Sequence, residues 1–362
     1  MSLIQHDLLN ECHEVCGLQV SIEKQSSFGT AAKSGVYPIL AAAHFSSVVT
    51  KLKNRNLQKA SIELSLDPYS RREFLATFGA LGAAAIIAPS TLPAQATSHG
   101  VRFGVRSPLP DASLRERAQL VKRIGYDGIE LGNEWSDHTL EALREQLAGI
   151  DIAVSAMVGS IKLLDTDPKA RAEAVETDRK RLEVAQALGA SCLIEVPTFG
   201  PNKFPDISPI MTAREIEDKL LVSGLKQLIP DVQRTGVKIL IEPCNHKETH
   251  YIYQQAQAAE IIDQVGAPGF TLLSDFYHMQ IEEKDIGETM SRYGKYTAYV
   301  HLADGTARTE PGSLPFDYRP GFHALKKWGY SGWLTVESKA TDNPEAALGR
   351  ALPYLKKQWE EA

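Results

Sequence analysis

Residues 238–251, KILIEPCNHKETHY, open on a short apolar run, then set Glu242 directly before a Pro-Cys-Asn turn with a second carboxylate, Glu248, on its far side. A buried strand that ends on a glutamate brings a charge to the rim of a sheet, where it must meet water, a partner or a ligand. Short apolar runs of this kind recur along the chain: VRFGV (101–105), GIEL (128–131), IAVSAM (152–157), CLIEV (192–196), KILIE (238–242), FTLLSD (270–275), AYVHL (298–302) and WLTVE (333–337). Longer amphipathic stretches separate them, which is the alternation of repeated beta-alpha units.

Eight such units in about 250 residues predict an α/β fold of eight parallel strands closed into a (β/α)8 TIM barrel. The helices fit. PDASLRERAQLVKRIGY offers Asp111 or Ser113 as its N-cap and stops at Gly125. DPKARAEAVETDRKRLEVAQALGA stops at Gly189, and AREIEDKLLVSGLKQLIPDVQRTG reads as one helix stopping at Gly236. A doubly wound sheet fits less well, since no glycine-rich turn follows the first strand and no change in composition divides the chain.

In a barrel of this type, polar residues at the C-terminal ends of strands face the mouth. Strands 5 to 8 end in succession on Glu242, Asp275, His301 and Glu337. Any one of these has an ordinary structural use. Three carboxylates and one imidazole on adjacent strands can instead converge on one centre, and that oxygen and nitrogen set suits Mn, Mg or Co better than a structural zinc.

At these residues the chain from about 101 to 360 resembles the xylose-isomerase-like TIM-barrel superfamily, near its ketose 3-epimerase and hydroxypyruvate isomerase branch. The motifs that carry the resemblance are IEPCNHKETHY, LSDFYHMQIEE, VHLADGTARTEPG and GYSGWLTVES, in order and suitably spaced. The resemblance implies one divalent metal ion, Mn foremost, held by Glu242, Asp275, His301 and Glu337. It also implies Glu242 and Glu337 as the acid/base pair, with Glu248, His278 and Arg308 on substrate hydroxyls. The substrate would be a keto-sugar or related polyhydroxy ketone, which loses a proton beside its carbonyl to give an enediolate. A homodimer or homotetramer is implied as well. His246 stands where the family pattern has an arginine, so the sugar preference does not carry over with it.

Other residues have two readings each. Glu130 and Glu195, near the ends of strands 2 and 4, either line the mouth or serve structural hydrogen bonds, and the second is the expectation. Trp135 and Phe199 are candidates for an apolar wall or for loop anchors. His250 is expected to start a helix rather than add a ligand. The loop 308–318, RTEPGSLPFDY, reads as a lid, a subunit contact or a plain connection, and no phosphate cradle lies in it. Elimination from a 3-keto glycoside or an inosose would begin with the same proton loss and make the protein a lyase. A barrel that binds sugar without turnover is a third reading.

The composition is ordinarily globular, 43% hydrophobic and 23% charged over 362 residues. Residues 97–362 hold 31 Lys/Arg against 38 Asp/Glu, an acidic balance without a basic run that excludes nucleic acid as the expected partner. Residues 70–96, SRREFLATFGALGAAAIIAPSTLPAQA, resemble a twin-arginine export signal cleaved after Ala96. The apolar run is shorter than the roughly 20 residues that span a bilayer. The expectation is therefore an exported, periplasmic domain of residues 97–362 without stable membrane insertion, an uncleaved anchor being the alternative. Residues 1–69 read as a leader of unknown role or a misassigned start, with Cys12 and Cys16 incidental. Cys192 and Cys244 fall at different heights on neighbouring strands, too far apart to bridge. Replacing Arg71 and Arg72 by lysine is predicted to abolish export, with wild-type periplasmic protein beginning at Thr97 by N-terminal sequencing. Secretion unchanged by the substitution would refute the signal.

Overall fold

The computed structural model describes residues 100–106, 112–133 and 138–362. Residues 1–69 and 70–96, expected as a leader and an export signal, with Cys12, Cys16, Asp111 and Trp135, lie outside the described residues. No helix among the described residues is long and apolar enough to cross a membrane. Eight strands, β1 (Arg102–Arg106), β2 (Gly128–Leu131), β3 (Ala153–Val158), β4 (Cys192–Glu195), β5 (Lys238–Ile241), β6 (Phe270–Asp275), β7 (Thr297–Leu302) and β8 (Trp333–Glu337), pair in parallel and in order. The closed barrel β1-β2-β3-β4-β5-β6-β7-β8 is a TIM barrel, and every expected strand is present within a residue or so of its apolar run.

The helices are α1 (Leu114–Ile124), α2 (Leu140–Leu147), α3 (Pro168–Leu188), α4 (Ala213–Gln227), α5 (Ile229–Thr235), α6 (Gln255–Val265), α7 (Phe276–Glu282), α8 (Ile286–Tyr293), α9 (Arg319–Lys327) and α10 (Pro344–Glu360). Ser113 and Thr212 start α1 and α4 with reciprocal capping boxes to Glu116 and Glu215. Gly189 ends α3 at φ 77°, a left-handed position that a side chain resists. The single helix expected across 213–236 is two. Pro230 has no N–H to donate back into α4 and is suited to the first turn of a helix, so the helical run ends at Leu228 and restarts at Ile229.

Alternation along each strand sorts side chains between two cores. Leu193, Ile239, Ile241 and Leu272 face the outer helices. Ile194, Leu240, Leu273, Tyr299 and Trp333 fill the barrel. The inward set fixes what lies above it: two residues beyond Leu240, Leu273 and Tyr299 come Glu242, Asp275 and His301, and two steps of two beyond Trp333 comes Glu337. Strand register then sets height, Asp275 lying level with His301 and Arg106 level with Glu337.

The Trp333 indole closes the lower end of the barrel against Gly128, where a Cβ would sit 2.4 Å from the ring. Gly128→Ala is therefore predicted to cost about 1–3 kcal/mol through overpacking, read from urea unfolding. An unchanged midpoint would contradict this packing.

Candidate metal centre

Glu242 follows β5, Asp275 ends β6, His301 lies within β7 and Glu337 ends β8. One donor atom from each falls within 4.8 Å of the others. His301 is the centre of the group. Its Nδ1 is 2.7 Å from Glu337 Oε2 and 3.5 Å from Glu242 Oε1, while its Nε2 is 2.7 Å from Glu130 Oε2 at the end of β2. Glu130, with a fully buried side chain, fixes the ring by accepting a hydrogen bond from Nε2–H. Nδ1 is left buried, facing two carboxylates, without a hydrogen bond. A ring nitrogen so placed, among three carboxylates, fits the donor set of a divalent cation.

Charge around the group is heavily coupled. Burial opposes ionisation of His301, yet Glu130 and Glu337 hold its pKa well above the ordinary imidazole value. Burial likewise opposes the Glu337 carboxylate, but Arg106, Arg308 and His301 hold it well below the usual range. Glu242 is also lowered, His301 outweighing burial, whereas burial wins at Asp275 and raises it. Two guanidinium groups link these acids. Arg106 Nη1 lies 3.3 Å from both Glu130 Oε1 and Glu337 Oε1. Arg308 Nη2 bridges Asp275 Oδ2 at 2.7 Å and Glu337 Oε2 at 2.6 Å, with its guanidinium over the Tyr277 ring.

The residues expected to meet substrate border the same group. His278 Nδ1 accepts from the Asn245 backbone N–H at 3.1 Å, with the Asn245 side-chain amide 2.8 Å away. That leaves the His278 Nε2 proton directed toward Asp275 Oδ2, 3.4 Å away. Asn245 Nδ2 also donates to Glu248 Oε1 at 2.8 Å. Arg308 reaches the acids because its loop folds inward, with φ 55° at Arg308 itself. Buried Asp304 braces that loop, accepting from Tyr318 Oη, Gly312 N and Leu314 N at 2.5, 2.7 and 3.0 Å. His246 turns away, its exposed ring paired with Glu282.

One reading changes, one expectation is borne out and one residue is new. His250 does not start a helix: α6 begins at Gln255, and the ring ties Gly200 O at 2.8 Å to Glu217 Oε1 at 2.6 Å. Glu195 does not line the mouth. Ile194 points inward, so Glu195 points outward to Asp178 of α3, both accepting from Ser160 N, at 3.1 and 2.6 Å. Arg106 is a residue that sequence reasoning missed. It stands one residue beyond the apolar run of strand 1, in the inward phase of Arg102 and Gly104, and that phase was the available signal. Phe199 is 44% exposed, and Cys192 and Cys244 are both free and buried.

Burial and the neighbouring Asp178 raise the Glu195 carboxyl well above its usual value, and burial raises Asp178 as well. The folded pair thus keeps protons that the unfolded chain releases. Its contribution to stability is greatest below the ordinary carboxylate range and declines as pH rises from there toward the raised folded values. Glu195→Gln, which replaces the protonated carboxyl by an amide, should be relatively more stable against wild type at about pH 8 than at about pH 5, measured by urea midpoints. A pH-independent difference would contradict proton retention.

The family described as xylose isomerase-like TIM barrel matches residues 118–358. The 3-dehydro-D-guloside 4-epimerase of Escherichia coli (strain K12) is 24% identical over 249 residues, covering 67% of this chain and 94% of that protein. The L-ribulose 3-epimerase of Methylomonas sp. (strain DH-1) is 27% identical over 256 residues, covering 69% and 87%. Among solved structures, the apo 3-keto-D-glucoside 4-epimerase from E. coli superposes with a TM-score of 0.62 at 22% identity, covering 71% of this chain and 99% of that one, a likeness of fold.

Proposed function

The chain belongs to the xylose isomerase-like TIM-barrel family, and from that membership and the geometry of its mouth we propose a divalent-metal-dependent epimerase or isomerase of a keto-sugar or related polyhydroxy ketone. Its curated relatives are epimerases and isomerases, and it is an enzyme of that class. The observation that carries the metal-dependent reading is the gathering of Glu242, Asp275, His301 and Glu337 around a buried ring nitrogen without a hydrogen bond.

Glu242, Asp275, His301 and Glu337 would hold the cation, Mn foremost. Bound there, a divalent ion supplies Lewis-acid polarisation of a carbonyl and its neighbouring hydroxyl, which acidifies the adjoining C–H. Glu242 and Glu337 move the proton, one carboxylate taking it from carbon and the other returning one. Return to the opposite face of the same carbon is epimerisation. Return to the neighbouring carbon, with a hydroxyl proton shift, is isomerisation. Both of these carboxyls have lowered pKa values, so both are ionised at neutral pH and available as bases. Arg106, held against Glu130 and Glu337, keeps Glu337 in place from the side of β1.

Glu248, the His278 Nε2 proton and Arg308 are the groups assigned to substrate hydroxyls. Arg308 donates to Glu337 and Asp275, two of the residues that would hold the cation, which sets its guanidinium beside the place where substrate oxygens would lie. The resemblance of residues 70–96 to a twin-arginine export signal supports a reaction outside the cytoplasm as part of this proposal.

The test is incubation of the Mn-loaded protein with ketoses and 3-keto glycosides in deuterated water, followed by proton NMR and mass spectrometry. Mn-dependent deuterium at one carbon with no other change of mass is expected. Glu242→Gln and Glu337→Gln should each lower turnover by on the order of 10²–10⁴-fold. Loss of water or an aglycone would make the protein a lyase, and full activity in either variant would remove that residue from the acid/base pair.

A further inference from the structure

The end of the barrel opposite the metal centre carries a cavity of about 330 Å³. Strand starts build it: Arg102 opens β1, Lys238 opens β5 and Trp333 opens β8, with Ser191 just before β4. Lys295, from the short 3-10 turn Gly294–Tyr296, and the Trp328 ring complete its wall. Three cations line this cavity and no carboxylate does.

The cations are not neutralised elsewhere. Among the described residues none of the three pairs with an acid. Two of them lie over aromatic faces, Arg102 4.0 Å from the centroid of the Trp333 ring and Lys295 Nζ 4.8 Å from that of Tyr296. The other end of the same barrel behaves differently, since Arg106 and Arg308 each meet two carboxylates there. In a domain with a net excess of acids, three uncompensated cations around one concavity focus a positive potential into it. The frame is preorganised as well. Stacking holds the Arg102 guanidinium, whose planar fork suits oxyanions, and the Trp328 Nε1–H is fixed by Met290 O and Ser291 O, both at 3.2 Å. The volume lies within the range of small-molecule sites.

We propose that this cavity is a second ligand site, for a small, multiply charged oxyanion of the phosphate or phosphomonoester type. It is independent of the reaction at the mouth and stands or falls separately from it.

The test is calorimetric titration of the full chain, kept free of divalent ions by a chelator and at constant ionic strength in chloride, with inorganic phosphate and then with glycerol phosphate. Saturable binding of one anion per chain is expected. Lys238→Glu and Lys295→Glu, both at exposed positions, should each weaken it by about tenfold or more, while Lys226→Glu, which does not line this cavity, leaves it unchanged. Binding of inorganic phosphate alone would identify a free oxyanion as the ligand, and preference for the ester would identify a phosphorylated metabolite. No saturable binding of either, or equal affinity in wild type, Lys238→Glu and Lys295→Glu, would overturn the proposal.

Discussion

Four carboxylates, Glu130, Glu242, Asp275 and Glu337, crowd around one buried imidazole at the mouth of this barrel, and the arrangement is stable only where their mutual repulsion is compensated. In a low-dielectric site such repulsion is far larger than in water. Arg106 and Arg308 answer it from two sides, and His301 is driven toward its charged form by the acids it touches. A divalent cation in the middle would relieve the same repulsion more completely, with His301 contributing the nitrogen that no hydrogen bond occupies. The features that favour the ion are therefore the features that strain the group without it.

The barrel below makes the crowding possible. His301 stands on Tyr299, whose ring meets it edge-on with centroids 5.5 Å apart. The Tyr299 hydroxyl is fixed in turn by Thr335 Oγ1 and Ser155 Oγ, each at 2.7 Å. This puts the ligating strand ends on a packed, hydrogen-bonded floor rather than on mobile loops, which is what precise positioning of a reactive group requires. Arg308 arrives on a loop, and Asp304 ties that loop down within a few residues of it.

The strands and the four convergent side chains were legible in the sequence because period-two alternation and strand ends are local signals. Glu242, Asp275, His301 and Glu337 each follow an apolar run in the inward phase, so their meeting needed no knowledge of distant packing. The structural role expected of Glu195 follows from phase as well: it sits one step out of phase with Ile194, which sends it outward to Asp178. What sequence reasoning missed depends on pairing between distant segments. Arg106 was in phase but stood just past its apolar run, and its partners Glu130 and Glu337 are distant in sequence. The break at Leu228 was local and readable from Pro230. His250 ties Gly200 of the loop after β4 to Glu217 of α4, a pairing of segments distant in sequence.

Divalent-ion binding tests the account most directly. The protein should be stripped of metal, titrated with Mn and crystallised with it for anomalous diffraction. The account predicts one ion per barrel, bonded to Glu242, Asp275, His301 and Glu337, with binding lost in His301→Ala. An ion bound elsewhere, or Mn affinity unchanged in His301→Ala, would contradict it.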